Sequence, residues 1–320
     1  MQRRQVLACG LVAAAAPWAR AEEFPSRPIT LVVTFPAGTV TDNVTRVVAK
    51  ALSQSLGQPV LVENKTGAQG TIGAALVAHN AKPDGHTLLI GSSGMFVARS
   101  LYKTLSYDPM GSFVPVSGIA ATAMMFLVPT SSPMHTIGDL VSAARKANPP
   151  VTMGYGSPTS QVAVALFATV SESQPIAVGY RGIPQAMTDM LGGQVQVAVA
   201  DVGNGLAQVN AGKARALAIS SAARYDGAPD VPTLQETFPR ASGALETIIA
   251  MLAPAGTPAP VVQKLDAAVR AALETAEVKT SFHAMNAVAL PLSAQQLAAR
   301  LQADNPRWEN LMKKAGIEPQ

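Results

Sequence analysis

The chain contains little cysteine, little aromatic character and little charge. Its one cysteine is Cys9, so the residues beyond it form no disulfide framework and offer no thiolate nucleophile. Aromatic residues make up 5% and charged residues 14% of the 320 positions, and no block of Lys or Arg occurs, which excludes the electrostatic signature of a nucleic-acid-binding protein. Because 48% of the residues are hydrophobic, the chain can build the core of one large or two medium domains.

Catalytic and cofactor motifs are scarce as well. The four histidines are dispersed, and the acidic residues form no paired-carboxylate signature. The sequence has neither of the nucleotide-binding patterns GxGxxG and GxxxxGK[ST]. Gly91-Ser92-Ser93-Gly94 falls short of a nucleophile elbow because Met95 occupies the position of the final glycine. We therefore expect a protein that is not an enzyme and that uses no cofactor or metal.

The first 21 residues have the layout of a secretory leader. Arg3 and Arg4 precede an uncharged run from Val6 to Trp18, and Ala19-Arg20-Ala21 supplies a small-x-small cleavage site. The paired arginines are compatible with both ordinary secretion and twin-arginine export. Without the three leader arginines, 21 basic residues face 20 acidic ones, so the mature chain is nearly neutral. We expect an exported, periplasmic protein.

A long stretch without charged residues, 109–138, resembles a membrane span in composition only. Prolines and glycines divide it into pieces shorter than the roughly 20 continuous apolar residues of a bilayer helix. The pattern instead predicts two buried strands, Val114 to Ile119 and Met125 to Val128, at a place where the chain passes from one domain to another.

Short β-rich runs alternate with helical patterns along the chain. The predicted strands are Ile29 to Thr34, Val60 to Glu63, Thr87 to Ile90, Val195 to Ala200, Ala216 to Ser220 and Thr247 to Leu252. The predicted helices are Asp42 to Leu56, Thr71 to Ala81, Thr136 to Ala147 and Thr159 to Ser171, followed by an almost wholly helical tail from Pro258 to Ala315. This alternation predicts an α/β fold whose mixed, mostly parallel sheets carry helices on both faces.

Four turns that follow predicted strands are candidate ligand sites, because parallel α/β sheets bind ligands at the carboxyl ends of their strands. Small residues allow the backbone to approach a ligand, and free N–H groups at a helix start attract an anion, so two such starts could bind a carboxylate without arginine. Each turn taken alone is equally consistent with an ordinary N-cap. The candidate ligand-binding residues in these turns are Phe35, Ala37, Gly38, Thr39, Asp42, Asn64, Gly67, Ala68, Gln69, Gly70, Ser92, Ser93, Gly156, Ser157, Thr159 and Ser160.

One acidic residue, Asp201, stands out because it ends the apolar run Val195 to Ala200. Its carboxylate could accept a hydrogen bond from a ligand amine or hydroxyl. It could equally cap the turn at Gly203-Asn204-Gly205, and the sequence leaves both interpretations open.

Eight ordered motifs cover almost the whole mature chain. They are PITLVVTFPAGTVTDNVTR (28–46), LGQPVLVENKTGAQGTIGAALVA (56–78), PDGHTLLIG (83–91), LYKTLSYDP (101–109), GYRGIPQAMTDMLGGQVQ (179–196), AGKARALAISS (211–221), PDVPTLQE (229–236) and APAGTP (253–258). In these motifs the chain resembles the Bug receptors, the extracytoplasmic solute receptors of tripartite tricarboxylate transporters. The resemblance implies a type II periplasmic-binding-protein fold, in which two lobes joined by crossing strands enclose the ligand at their interface.

By position, the resemblance implies that the loops Phe35 to Asp42 and Asn64 to Gly70 hold one ligand carboxylate through backbone amides and ordered waters. The remainder of the ligand then points toward the other lobe, where the resemblance places Gly156 to Ser160 and Tyr180.

The chain departs from the family pattern at three places. The usual double glycine of the first loop is Gly38-Thr39, and the lysine expected after Tyr180 is Arg181. The segment GSPTSQVAVALF, residues 156–167, lacks the glycine-rich, histidine-containing pattern typical of the second lobe. These differences put the identity of the ligand in doubt and leave the scaffold unaffected.

Domain limits and function follow from the same resemblance. We expect lobe one to comprise residues 24–123 plus 237–320, and lobe two residues 124–236. The expected function is a monomeric periplasmic receptor that captures a small organic acid or amino acid and delivers it to transmembrane transporter subunits. The alternatives are a ligand sensor for a signalling partner and a secreted serine hydrolase that uses Ser92 or Ser157.

Overall fold

The computed structural model describes residues 24–92, 95, 98, 101–146, 148–239, 245–314 and 317–319. The predicted leader and the candidate residue Ser93 lie outside the described residues. The strands are β1 (Ile29–Val33), β2 (Val60–Asn64), β3 (Thr87–Ser92), β4 (Phe113–Pro129), β5 (Thr152–Tyr155), β6 (Ile176–Gly179), β7 (Val197–Asp201), β8 (Ala214–Ile219), β9 (Glu246–Pro254) and β10 (Val288–Ala289). The helices are α1 (Val40–Leu56), α2 (Thr71–Asn80), α3 (Ile137–Lys146), α4 (Pro158–Ser171), α5 (Ile183–Leu191), α6 (Val202–Asn210), α7 (Leu234–Thr237), α8 (Ala259–Glu274), α9 (Ala276–Ala284) and α10 (Ala294–Lys314).

Strand β4 belongs to two sheets at once. Residues 113–123 pair with β9, and residues 124–129 pair with β7 and β8. Sheet one has the order β2-β1-β3-β9-β4, with β10 also on β4, and sheet two has the order β6-β5-β7-β4-β8. The predicted lobe boundary falls where β4 changes its partners, and the limits of the lobes remain a prediction.

The prediction of two separate strands in the uncharged stretch was wrong, because β4 runs through both without a break. Its pairing with β9 shifts register after Pro115 and after Gly118, so these irregularities are absorbed as bulges and do not end the strand. The tail, which the sequence predicts to be almost wholly helical, also contains a short strand, β10, which pairs with β4. Strands β5 and β6 have only four residues each, and the sequence analysis does not predict them.

Parallel and antiparallel pairs have separate places in the fold. Strands β1, β2 and β3 are parallel, as are β5, β6 and β7, whereas β4 and β9 run antiparallel to their neighbours. The parallel groups arise from βαβ connections, in which the helix returns the chain to the same edge. This is the mixed α/β architecture that the sequence predicts.

Helices cover both faces of sheet one, as the alternation of side chains along β1 shows. Leu31 and Val33 point into a cluster with Val44 and Val48 of α1, whereas Val32 belongs to a second cluster with α2. Sheet two is covered in the same way, by α3 and α4 on one face and by α5 and α6 on the other. Apolar residues therefore face helices on both sides of each sheet.

The C-terminal helix α10 contacts both lobes. Leu297 and Leu301 near its start pack into a cluster of sheet one, and Trp308 and Met312 near its end pack into a cluster of sheet two. The helix thus packs against the hydrophobic cores of both lobes. Within the part of the chain that the structure describes, no helix is both long enough and apolar enough to cross a bilayer.

We predict that Phe126→Ala destabilises the protein by about 3–5 kcal/mol, because the fully buried ring packs against Phe167 and its removal leaves a cavity. Urea unfolding followed by the fluorescence of Trp308, the one tryptophan outside the leader, measures this loss. Leu61→Ala is the control, because Leu61 is 51% exposed and its truncation should leave the midpoint nearly unchanged. Equal midpoints for the two variants would contradict the assignment of Phe126 to the core.

Candidate functional site

A cavity of about 390 Å³, with the space at its mouth included, lies between the two sheets. Its walls come from the carboxyl ends of strands, from the helix starts that follow them, and from β4 and β9, which cross between the lobes. The residues that line it are Phe35, Thr39, Val40, Thr41, Ser92, Thr122, Met124, Gly156, Ser157, Ile183, Asp201, Thr247 and Ile249. This is the position at which open α/β sheets bind ligands.

Four helices begin at this cavity. Thr39 caps α1 by accepting a hydrogen bond from the Asp42 amide at 3.3 Å, and Ser157 caps α4 in a reciprocal capping box with Ser160. Asp201 caps α6, and α5 begins at the cavity residue Ile183. The free N–H groups and partial positive charge of helix starts favour an anion.

The described lining contains no Lys, Arg or His side chain, and Asp201 is its one ionisable group. A ligand carboxylate in this cavity would therefore be balanced by backbone amides and hydroxyl groups, not by a cationic side chain. Backbone amides can do this because they point at the ligand without the desolvation cost of a buried ammonium or guanidinium.

Position 156 has no room for a side chain, because the turns before α4 and α5 are in contact there. A Cβ at this position would collide with the backbone of Gly182 and Ile183. The turn before α4 and the turn before α5 are therefore packed backbone to backbone, which brings both helix starts to the same wall of the cavity.

Asp42 and Asn64, which the sequence predicts as ligand residues, do not line the cavity and instead hold two loops together. Asp42 accepts hydrogen bonds from the Gly38 amide at 3.1 Å and from the Asn64 side chain at 2.9 Å, and it pairs with Arg46 at 2.8 Å. Asn64 also donates to the carbonyl of Phe35 at 2.9 Å. Burial raises the pKa of Asp42, but the hydrogen bonds from Arg46, Asn64 and Gly38 outweigh burial and leave that pKa below its ordinary value.

The loop that follows β2 includes Gly67 to Gly70. This segment lies next to Phe35 and contributes no residue to the cavity lining. Gly67 and Gly70 have positive φ angles, and so do Ala68 at 44° and Gln69 at 53°. This unusual backbone projects the Gln69 side chain across the cleft, where its Nε2 donates to Oε1 of Gln161 at 2.9 Å. The other end of the amide, Gln69 Oε1, is buried without a hydrogen-bond partner.

Further contacts join the lobes around the cavity, so the structure represents a closed form. Thr247 of β9 donates a hydrogen bond to Thr159 of α4 at 2.6 Å. Gly182 lies so close to Pro36 that a Cβ on the glycine would come within 3.1 Å of the proline ring. Together with the Gln69–Gln161 pair, these contacts exist only while the lobes are together.

The structure thus brings part of the predicted set of ligand residues to one cavity. Phe35, Thr39, Ser92, Gly156, Ser157 and Asp201 line it. Tyr180 packs against a lobe-two cluster and interacts with Asp189. The other described candidates lie in the same turns and helix starts but outside the lining: Ala37, Gly38, Asp42, Asn64, Gly67, Ala68, Gln69, Gly70, Thr159 and Ser160. Direct binding of a ligand by any of these residues remains a prediction.

Sequence reasoning missed seven lining residues. They are Val40, Thr41, Thr122, Met124, Ile183, Thr247 and Ile249. Thr122 and Thr247 are register partners on β4 and β9, and both are polar residues in strands that are mostly apolar. A lone threonine in a buried strand was the available signal, whereas the apolar residues could not be distinguished from core by their pattern.

Asp201 has the capping role that the sequence left open, and because it lines the cavity its ligand role remains a prediction. It is 5% exposed, and it caps α6 with Oδ1 accepting from the Asn204 amide at 2.9 Å and Oδ2 accepting from the Asn204 side chain at 3.0 Å. It also lines the cavity. Burial raises the pKa of Asp201 above its ordinary value despite these hydrogen bonds.

Two sheets that share a crossing strand, with a cavity between them at the carboxyl ends of their strands, define a two-lobed periplasmic binding protein. Residues 44–317 match the family model described as Tripartite tricarboxylate transporter family receptor. The chain belongs to this family of solute receptors.

Individual relatives agree over nearly the full length. A protein encoded in the tcbD-tcbE intergenic region of Pseudomonas sp. strain P51 is 34% identical over 97% of this chain and 94% of its own. BugT of Bordetella pertussis is 30% identical over 93% of this chain and 92% of its own. Among solved structures, the periplasmic binding protein BugD has a TM-score of 0.85 at 33% identity, covering 93% of this chain and 100% of that chain. Rpa4515 of R. palustris, solved with adipate, has a TM-score of 0.86 at 30% identity with the same coverage. The resemblance to Bug receptors and the periplasmic-binding-protein fold are thereby confirmed.

We predict that Asp42→Ala lowers the free energy of unfolding by about 1–3 kcal/mol, because the Gly38 amide and the Asn64 side chain lose their acceptor. Glu63→Ala on β2 is the control, because the Glu63–Lys65 pair is exposed and contributes little.

The effect of Asp42→Ala on stability should also depend on pH. Since the pKa of Asp42 in the folded protein lies below its ordinary value of 3.8, its stabilising contribution is complete above that value and is lost as the pH falls below it. Melting curves should therefore separate wild type and variant at neutral pH and converge on acidification. A difference that grows on acidification would contradict the role given to the carboxylate.

We predict that Gln161→Ala opens the ligand-free protein, because it removes the hydrogen bond to Gln69 that spans the cleft. A loss of about 0.5–1.5 kcal/mol changes the ratio of open to closed molecules roughly twofold to tenfold. Small-angle X-ray scattering should then give a larger radius of gyration than for wild type. Gln54→Ala, an exposed helix glutamine away from the cleft, is the matched control. Identical scattering from all three proteins would show that the pair does not hold the lobes together.

Proposed function

We propose that this receptor captures a small carboxylate-bearing molecule between its lobes and presents the closed form to transmembrane transporter subunits. The observation that supports it most directly is the convergence of the starts of α1, α4 and α5 on one cavity whose described lining contains no cationic side chain. Helix starts of this kind bind anions through backbone N–H groups.

The relatives support the ligand class. The solved structure of Rpa4515 contains adipate, and that of MatC from Rhodopseudomonas palustris, 30% identical to this chain, contains malate. Both ligands are small carboxylates. By analogy, the carboxylate of this receptor's ligand lies near the starts of α1 and α4.

Capture works through closure. The contacts between Gln69 and Gln161 and between Thr247 and Thr159 require both lobes to be together, and so does a ligand that touches both walls. A ligand stabilises the closed form by the contacts that it makes only there, and a membrane partner can then distinguish loaded from empty receptor by its shape. The hinge would lie where β4 leaves sheet one for sheet two.

The remaining parts of the proposal concern export, assembly and chemistry. The first 21 residues act as a leader that sends the chain to the periplasm, and the mature receptor acts as a monomer. Ser157 is engaged in the capping box with Ser160, and no described histidine lines the cavity to serve as a base for Ser157 or Ser92. The receptor therefore binds its ligand without transforming it.

Thermal melting tests the proposal with protein that has been freed of any co-purified ligand. Propionate, lactate, alanine, succinate, malate and aspartate should be compared with the neutral amides propionamide and succinamide. A carboxylate that binds only the folded receptor stabilises it by about 2.7 kcal/mol at a concentration of 100 Kd, and the melting temperature rises accordingly. If the amides stabilise the protein as much as the acids do, or if no acid does, the proposal is wrong.

A further inference from the structure

We propose that Asp201 selects ligands that carry a hydrogen-bond donor, an ammonium or hydroxyl group, beside the carboxylate, so that the receptor's substrates are compact amino acids or hydroxy acids. This inference rests on the proposed function, because it concerns the same bound molecule.

The Asp201 carboxylate has accepting capacity left after its structural bonds. Asn204 supplies one donor to each oxygen, and the amide of Asp201 itself also contributes. An ionised carboxylate has about four lone-pair sites, so the group can accept a further hydrogen bond on its cavity side. No cationic group is among these partners.

The charge balance of the cavity points to a donor on the ligand. Asp201 is only 5% exposed, and it is the one ionisable side chain in the described lining. A ligand that brought a second carboxylate to this end would add like charge to a site without a cation. A ligand ammonium would neutralise the buried carboxylate, and a hydroxyl would satisfy it without adding charge. Burial without a cationic partner raises the pKa of Asp201, in agreement with this charge balance.

The rest of the described lining offers a ligand donor only neutral acceptors. Met124, Ile183 and Ile249 form apolar walls, and the hydroxyl of Thr39 is already used, since it donates to the Pro36 carbonyl at 2.8 Å and accepts from the Asp42 amide. Thr247 likewise donates to Thr159. Asp201 is therefore the strongest acceptor available to a ligand inside the cavity.

The limited space sets the size of the ligand. The space between the walls is small, about 390 Å³ even with the open mouth of the cavity included, so a ligand that contacts the starts of α1 and α4 as well as Asp201 is short. The carboxylate and the donor of such a ligand are then close neighbours in its covalent structure, as they are in α-amino and α-hydroxy acids.

Asp201→Asn is the test variant, because asparagine is also a good N-cap and keeps the side-chain shape while it removes the charge. Asp139→Asn is the matched control, since Asp139 accepts hydrogen bonds from the His135 and Thr136 amides at the start of α3 and lies on the exposed surface. Melting curves of the ligand-free proteins show whether each variant is folded.

Calorimetric titration should use three acids of one carbon skeleton: alanine with an ammonium, lactate with a hydroxyl, and propionate with neither. Succinate, malate and aspartate form a second series. In wild type and in Asp139→Asn, the donor-bearing acids should bind at least about tenfold more tightly than the acid without a donor, as expected for a hydrogen bond to a charged group. In Asp201→Asn, the amino acid should lose at least that factor, the hydroxy acid should lose less, and propionate or succinate should bind as well as before or better.

The outcomes separate the two proposals. If acids bind but show no preference for a donor, or if Asp201→Asn keeps the preference of wild type, the role of Asp201 is disproved and the receptor function stands. If none of the acids binds to wild-type protein, the proposed function itself fails.

Discussion

The sharing of strand β4 between two sheets is the constraint on which the rest of the structure depends. Its first part pairs with β9 in sheet one and its second part with β7 and β8 in sheet two, so both lobes are built on one continuous backbone. Ser220 reinforces the crossing: its hydroxyl accepts from the Met124 amide at 2.8 Å and donates to the Leu245 carbonyl at 2.6 Å. The chain that leaves lobe one and the chain that returns to it are therefore joined at the same point.

The position of the cavity follows from this crossing. Thr122 and Met124 of β4 and Thr247 and Ile249 of β9 form the side of the cavity at which the lobes are joined. The helix starts of each lobe form the other walls, because the connections after β1, β5 and β7 all leave their sheets toward the cleft. A ligand at this place contacts both lobes next to the hinge, where a small rotation makes or breaks many of its contacts.

The proposed site would hold an anion with backbone dipoles, and it contains a buried carboxylate of its own. Two cations of the neighbouring loops are engaged in ion pairs, Arg46 with Asp42 and Lys65 with Glu63. Fixed dipoles favour negative charge at the helix starts, whereas Asp201 favours a donor. The cavity thus combines helix-start dipoles with one acceptor carboxylate.

How far the site could be predicted from sequence depended on the range of the interactions. The turns at Phe35 to Asp42 and Gly156 to Ser160 were identifiable because glycine, serine and threonine before a helix reflect local backbone chemistry. The chemistry of Asp42 and Asn64 and their place in these loops predict that they are ligand residues, and this remains a prediction. Only the partners supplied by the fold, Arg46 and the Phe35 carbonyl, show that both residues hold the loops in place.

The sequence by itself determined the α/β class, the family and the loops that face the cleft, since all of these depend on local patterns and ordered motifs. The tertiary structure alone decided that β4 is one strand with two sets of partners, that Thr122 and Thr247 meet at the cavity, and that Gln69 reaches Gln161. It also placed Asp201 both at the start of α6 and in the cavity wall. These features join residues far apart in the chain, and their energies depend on burial and on neighbours that no local pattern specifies.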